Sequence, residues 1–143
     1  MRATGMRVAF GSDDENETTA AVLQALTDAG HEIVRPTDSA SWPEIGKSVG
    51  RAVVEGRSDV GVVMCWTGTG TAIAANKVPG VRAALAWDPW IAKGARLWND
   101  ANVLAMSLKR LAPDVAVEVL QAFLTTSAPD PDEAANIADV ERP

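Results

Sequence analysis

Cys65 is the only cysteine of the chain, and it closes an apolar, largely β-branched run, Val60-Gly61-Val62-Val63-Met64. A glycine-spaced turn follows, Trp66-Thr67-Gly68-Thr69-Gly70-Thr71, and then the alanine-rich Ala72-Ile73-Ala74-Ala75-Asn76. The pattern predicts strand, loop, helix. Gly68 and Gly70 allow backbone N–H groups to converge near the helix start, where the peptide dipoles favour negative charge. A thiol beside such a nest suits removal of a proton next to a carbonyl, because the N–H groups can hold the enediolate oxygen that results. Position alone also fits a buried cysteine that merely closes a core strand.

The elements that must position this stretch alternate strictly. Arg7 to Phe10 reads as a strand, Gly11 to Asn16 as a capping loop, and Glu17 to Ala29 as a helix ended by Gly30. His31 to Val34 reads as a strand, and Pro43 to Glu55 as a helix entered through proline. After Val60 to Met64 and the helix beyond it come strand Val81 to Ala86, helix Pro89 to Leu97, strand Val103 to Met106 and helix Pro113 to Leu124. Such alternation predicts an α/β fold, a three-layer sandwich around a parallel sheet of about five strands. Ligands of this architecture bind at the carboxyl ends of strands, which selects the loops after the first and third strands, Asp13-Asp14 and Cys65 to Thr71.

With 143 residues the chain fits a single domain over 1–143. Residues 1–5 read as a ragged leader, with Met6 an alternative start, and 127–143 as an acidic, proline-bearing tail with a short helix from Glu133 to Val140. A net charge of −6 argues against nucleic acid or an anionic membrane as partner. One cysteine and one histidine leave no disulfide framework and argue against a zinc site, so no metal is expected. No secretory leader or membrane-spanning run is evident, and a cytoplasmic protein is expected.

The run Cys65-x-Thr67-Gly68-x-Gly70-x-x-Ile73-Ala74-Ala75-Asn76-Lys77-Val78-Pro79-Gly80, with Arg82-Ala83-Ala84 and Asn99-Asp100-Ala101-Asn102-Val103-Leu104-Ala105, resembles the ribose-5-phosphate isomerase B and galactose-6-phosphate isomerase family. The opening Val8-Ala9-Phe10-Gly11-Ser12-Asp13 is similar to that family's start, and the resemblance covers roughly residues 6 to 126. It implies a Rossmann-like fold and an aldose–ketose isomerase that uses no cofactor and binds a small sugar or other carbonyl compound. It implies that Cys65 is the base, that Asp13, Thr67 and Asn99 line the site, and that the backbone of Gly68, Thr69, Gly70 and Thr71 binds the enediolate oxygen. Family members that lack the cysteine use a glutamate at the position of Thr71. Each site is built across a dimer interface, so a homodimer or dimer of dimers is expected.

The chain also departs from the family pattern. Asp14 replaces a histidine after the first aspartate, and Trp98 replaces the histidine thought to help open the sugar ring. By spacing from Phe123-Leu124, two arginines that clamp the substrate phosphate from the neighbouring subunit fall on Asp132 and Asn136. A carboxylate about 4 Å from a phosphate repels it by several kcal/mol at intermediate dielectric. Lys109 could retain one positive group near the old phosphate position.

Five of the seven aromatic residues are tryptophans, and all five are expected at the rim of the site. Trp42 stands for a pocket tyrosine, Trp66 for a small residue, and Trp87 and Trp90 flank the loop after the fourth strand. Their convergence favours a flatter, more apolar ligand than a pentose phosphate, and an aromatic cage next to Asp14 and Asp132 could receive a cation; Asn136 is a further expected contact. The sequence therefore points to an isomerase with an altered substrate. The alternatives are ordinary ribose-5-phosphate isomerase activity, a non-catalytic binding paralogue with a Trp-lined cleft, and a subunit that needs a paralogous partner.

Overall fold

The computed structural model describes residues 5–143. Of the leader expected at 1–5, residues 1–4 therefore lie outside the described residues. Five strands, β1 (Arg7–Ser12), β2 (Glu32–Val34), β3 (Val60–Cys65), β4 (Ala83–Leu85) and β5 (Val103–Ser107), form one sheet in the order β2-β1-β3-β5-β4. Every pairing is parallel. The crossovers carry α1 (Glu17–Asp28), α2 (Trp42–Val54), α3 (Thr69–Asn76) and α4 (Pro89–Asn99), and α5 (Pro113–Thr125) follows β5. A 3-10 turn (Pro131–Glu133) and α6 (Ala134–Val140) end the chain. The expected three-layer α/β fold is the observed one.

β3 is buried along its whole length. Val62 and Met64 point to one face, where they pack with Phe10, Leu26, Leu104, Val119 and Phe123, while Val63 points to the other with Ile45, Val49, Ala75 and Ala105. Both faces of the central strand are therefore covered, which is why its sequence shows no polar alternation. The chain winds to opposite sides of the sheet from β1 and from β3, so the carboxyl ends of these neighbours border the crevice where such sheets bind ligands. Asp13 N donates to Met64 O at 3.2 Å and fastens the two loops together there.

Small residues set the distance between α2 and α3. A Cβ on Gly46 would lie 2.7 Å from Thr71 O and Ala74 Cβ and 2.9 Å from Ala75 N. These are mostly backbone atoms of α3, which cannot move without carrying the turn after β3 with them. Gly46→Ala is expected to cost about 2 kcal/mol or more through overpacking, lowering the thermal midpoint by about 5 °C or more. Circular dichroism melting of the variant against the parent checks this.

Candidate active site

Cys65 is the last residue of β3, and its neighbours fold back over it. Gly68 caps α3 in the left-handed conformation at φ +81°, and its N–H donates to Cys65 Sγ at 3.2 Å. Only glycine fits at this point: a Cβ would lie 2.6 Å from Leu85 Cδ1 and 2.9 Å from the carbonyl carbon of Met106. The Thr71 hydroxyl donates to the same sulfur at 3.3 Å. The sulfur thus receives two donors, and the cysteine is 5% exposed at the floor of a depression of about 360 Å³.

That depression is lined by Asp13, Trp42, Cys65, Trp66, Thr67, Thr69 and Gly70. Trp42 opens α2 and lays its indole against Gly70, whose Cβ would lie 2.9 Å from Trp42 Cε3. The Thr67 and Thr69 hydroxyls share a hydrogen bond of 2.6 Å, and Thr69 N donates to Thr67 Oγ1 at 3.2 Å. The expected cradle of four N–H groups is therefore smaller. Gly68 N–H is engaged with the sulfur and Thr69 N–H with Thr67, and Thr71 is fully buried, which leaves Gly70 in the first turn of α3, where no intrahelical acceptor exists.

Trp66 links three loops. Its Nε1 donates to Asp14 Oδ2 at 3.1 Å, and Lys109 Nζ lies 4.6 Å from its ring centroid. Its carbonyl accepts from Ser107 Oγ at 2.6 Å, and Leu108 N donates to Cys65 O at 2.9 Å. Asp14 is held below the usual carboxylate range by Glu15 N–H first and by the Trp66 indole second, with Lys109 adding its charge. Asp13 is pushed the other way, by burial first and by the charge of Asp14 second, and its Oδ1 is buried without a partner. Two adjacent aspartates thus titrate in opposite directions.

The remaining expected residues are not brought to Cys65 within this chain. α4 starts at the carboxyl end of β4 and runs back along the sheet, so Trp98 and Asn99, at its far end, sit about 15 Å along the helix from its start. They line a separate depression with Ala84, Leu85, Trp90 and Ile91. There Trp90 and Trp98 meet edge to face, with ring centroids 5.6 Å apart. Trp87 is 60% exposed. Within one chain the five tryptophans do not rim a single pocket: Trp42 and Trp66 flank Cys65, whereas Trp90 and Trp98 form their own exposed pair. Asp132 and Asn136 are exposed at the end of the chain, where Asp132 N bonds Asp130 Oδ1 and Asn136 Nδ2 bonds Glu133 Oε1.

The sequence reading missed a second cavity, of about 540 Å³, which shares only Asp13 with the first and is walled by Arg35, Thr37, Asp38 and Ser39 among others. It also missed the side chain of Thr71, assigned there to substrate but fully buried against Cys65. A hydroxyl among the alanines of a core-facing helix is the signal that was available, since it needs a buried partner. Among the described residues no group of three or more His, Cys, Asp or Glu side chains is arranged to hold a metal, and no helix is long and apolar enough to cross a membrane.

A family model described as Ribose/Galactose Isomerase matches residues 8–140. The chain is 43% identical over 88 residues to the Bacillus subtilis (strain 168) protein YwlF, named for a sugar phosphate isomerase; the match covers 62% of this chain and 59% of YwlF, less than two thirds of its length. It is 32% identical over 128 residues to D-erythrulose-4-phosphate isomerase of Pectobacterium atrosepticum, covering 83% of this chain and 82% of that one. Among solved structures, ribose-5-phosphate isomerase B of Clostridium thermocellum is similar with a TM-score of 0.85, at 30% identity and 95% of each chain.

The opposed shifts of Asp13 and Asp14 have separable causes. Trp66→Phe keeps the ring but removes the N–H donor, so Asp14 should titrate closer to an ordinary carboxylate, that is, upward. Asp14→Asn removes the like charge beside Asp13 and should move Asp13 downward. Carboxyl carbon titration by NMR reads both. The linkage signs differ too: ionised Asp14 stabilises the fold above its unfolded pKa, and that contribution is lost as pH falls through the lowered value. Asp13, with its raised value, favours the fold in its protonated form, and that contribution is lost as pH rises through it.

Proposed function

The chain belongs to the ribose/galactose isomerase family of sugar-phosphate isomerases, and from that premise we propose that it is an aldose–ketose isomerase with Cys65 as base, acting on a substrate whose far end is unphosphorylated or more apolar than its relatives' names indicate. The observation that carries this reading is a buried thiol with two donors at the floor of a depression, in a chain whose sequence has no arginine at the positions expected to clamp phosphate. Cys65 Sγ, its donors and a walled depression are in place. By spacing from Phe123-Leu124, the positions that the resemblance assigns to clamping arginines hold Asp132 and Asn136. Lys109 is stacked on Trp66 and faces Asp14.

On this reading the sulfur, as thiolate, takes the proton from C2 of the open-chain aldose. The C2–H electrons form the C1–C2 double bond, and the carbonyl pair moves to O1, held by the N–H group of Gly70, which lines the depression. The sulfur returns its proton to C1, and the O2 proton passes to O1, so that the ketose forms with no net gain or loss of atoms. Thr67 and Asp13 line the same depression and can orient the substrate oxygens. Trp42 and Trp66 offer flat apolar walls suited to the C–H face of a sugar or to an apolar group.

The reading includes a second copy of the chain. α4 carries Asn99 away from Cys65 of its own chain, so an Asn99 that lines the site must come from a partner. The exposed Trp90–Trp98 pair on the same helix supplies an apolar face for such contact. The matched 8–140 is read as one domain.

Two measurements test the function together. Purified protein is offered ribose 5-phosphate and unphosphorylated ribose, with isomerised product and tryptophan fluorescence followed in parallel. The unphosphorylated sugar should have the higher kcat/KM, and Cys65→Ala should lower turnover by about a thousandfold or more. Preference for the phosphate ester would return the chain to the substrate class of its named relatives, turnover unchanged in Cys65→Ala would remove the proposed base, and fluorescence quenching without any product would favour a binding paralogue.

A further inference from the structure

We propose that Thr71 is a positioning residue of the proton-transfer step: its buried hydroxyl orients the Cys65 sulfur and carries a hydrogen that follows the charge on that sulfur through turnover. The proposal rests on the reading of Cys65 as the base.

Thr71 is fully buried in the first turn of α3, so its hydroxyl has no solvent to bond. Two acceptors lie within reach of its one hydrogen: Cys65 Sγ at 3.3 Å and Gly68 O at 3.4 Å. The second distance is long for a bond between two oxygens, so that contact is weak. Sulfur ranks differently in its two states. A thiol is a poor acceptor, whereas a thiolate takes a charge-assisted bond. While the sulfur holds a proton, Gly68 O can receive the Thr71 hydrogen. Once the sulfur is charged, rotation about Cβ–Oγ1 brings that hydrogen onto Sγ with no heavy atom moving.

Gly68 supplies the fixed half of the same arrangement. Its N–H stays on Sγ at 3.2 Å in either state, because the left-handed φ of +81° sets its direction. One donor is rigid and one turns. The sulfur, on a cysteine only 5% exposed, is thereby aimed from two sides, and a donor already in place stabilises charge there without solvent reorganisation. Thr71 does this without touching substrate, since its side chain is sealed behind the cysteine.

Alkylation of Cys65 by iodoacetamide, followed by mass across a range of pH, tests the proposal with no substrate required. Thr71→Val keeps shape and removes the donor, and is expected to slow modification roughly 3- to 10-fold near neutral pH, converging with the parent above about pH 10, where an ordinary thiol is ionised. Thr71→Ser, which keeps the hydroxyl, should restore the parental profile. Where the valine variant does not fold, Thr71→Ala takes its place and the same profile is expected. A profile unmoved in the variants, or slowed by one factor at every pH as altered packing or access would cause, overturns the proposal. Turnover that survives Cys65→Ala overturns the reading of Cys65 and this proposal with it; turnover that requires Cys65 alongside an unmoved profile overturns the part of Thr71 alone.

Discussion

The bond from Gly68 N–H to Cys65 Sγ joins the end of β3 to the start of α3, and the rest of the site is arranged around it. The chain must reverse within three residues for that N–H to face the sulfur, which requires the positive φ of Gly68. Reversal in turn presses the turn against Leu85 and Met106, where no side chain at 68 would fit. The helix that follows is packed on α2 through Gly46, so its register is fixed by contacts remote from the sulfur. Sheet, turn and helix thus converge on one atom, and each limits the freedom of the other two.

Charge around that atom is distributed over separate loops. Asp13 is destabilised as an anion by burial and by its neighbour, while Asp14 is stabilised by Glu15 N–H and the Trp66 indole. Trp66 stands between Asp14 and Lys109, bonding one and stacking under the other. A free lysine at the mouth would attract any anion; one stacked on an indole and facing a carboxylate presents less unbalanced charge. The tryptophan after the cysteine therefore shapes the electrostatics of the depression as well as its wall, and for that reason the substrate reading turns on Trp66 as much as on Asp132 and Asn136.

Much of this was legible because local rules and tertiary structure agree. The uncharged run Val60 to Met64 announced a strand covered on both faces, and Gly68 and Gly70 announced the turn. The helix start at Glu17 was marked by the capping loop that ends in Asn16, whose side-chain oxygen caps it. What the sequence hid were relations set by topology. The order β2-β1-β3-β5-β4, with β5 beside β3 and β4 at the edge, leaves no trace in residue types. The tryptophans looked alike as a set, yet Trp66 lies at a carboxyl end and Trp98 at the end of a returning helix. Thr71 was read through its backbone because turn chemistry is local, whereas its side-chain partner is decided by which face of α3 meets β3.

The same topology bears on how the proposed substrate is enclosed. A parallel sheet sends each helix away from the strand ends that hold the chemistry, so one chain supplies loops and helix N-termini, but not helix C-termini, to its own depression. The residues at 98, 99, 132 and 136, which the resemblance places around the site, are carried away from the Cys65 depression on this chain. On the proposed reading, closure then comes from a second copy, and what that copy brings is an indole, an amide, a carboxylate and a second amide. None is cationic. A substrate held between such groups is recognised by hydrogen bonds and apolar contact, so discrimination against an anion would come from unpaired carboxylate charge and not from a lost contact alone.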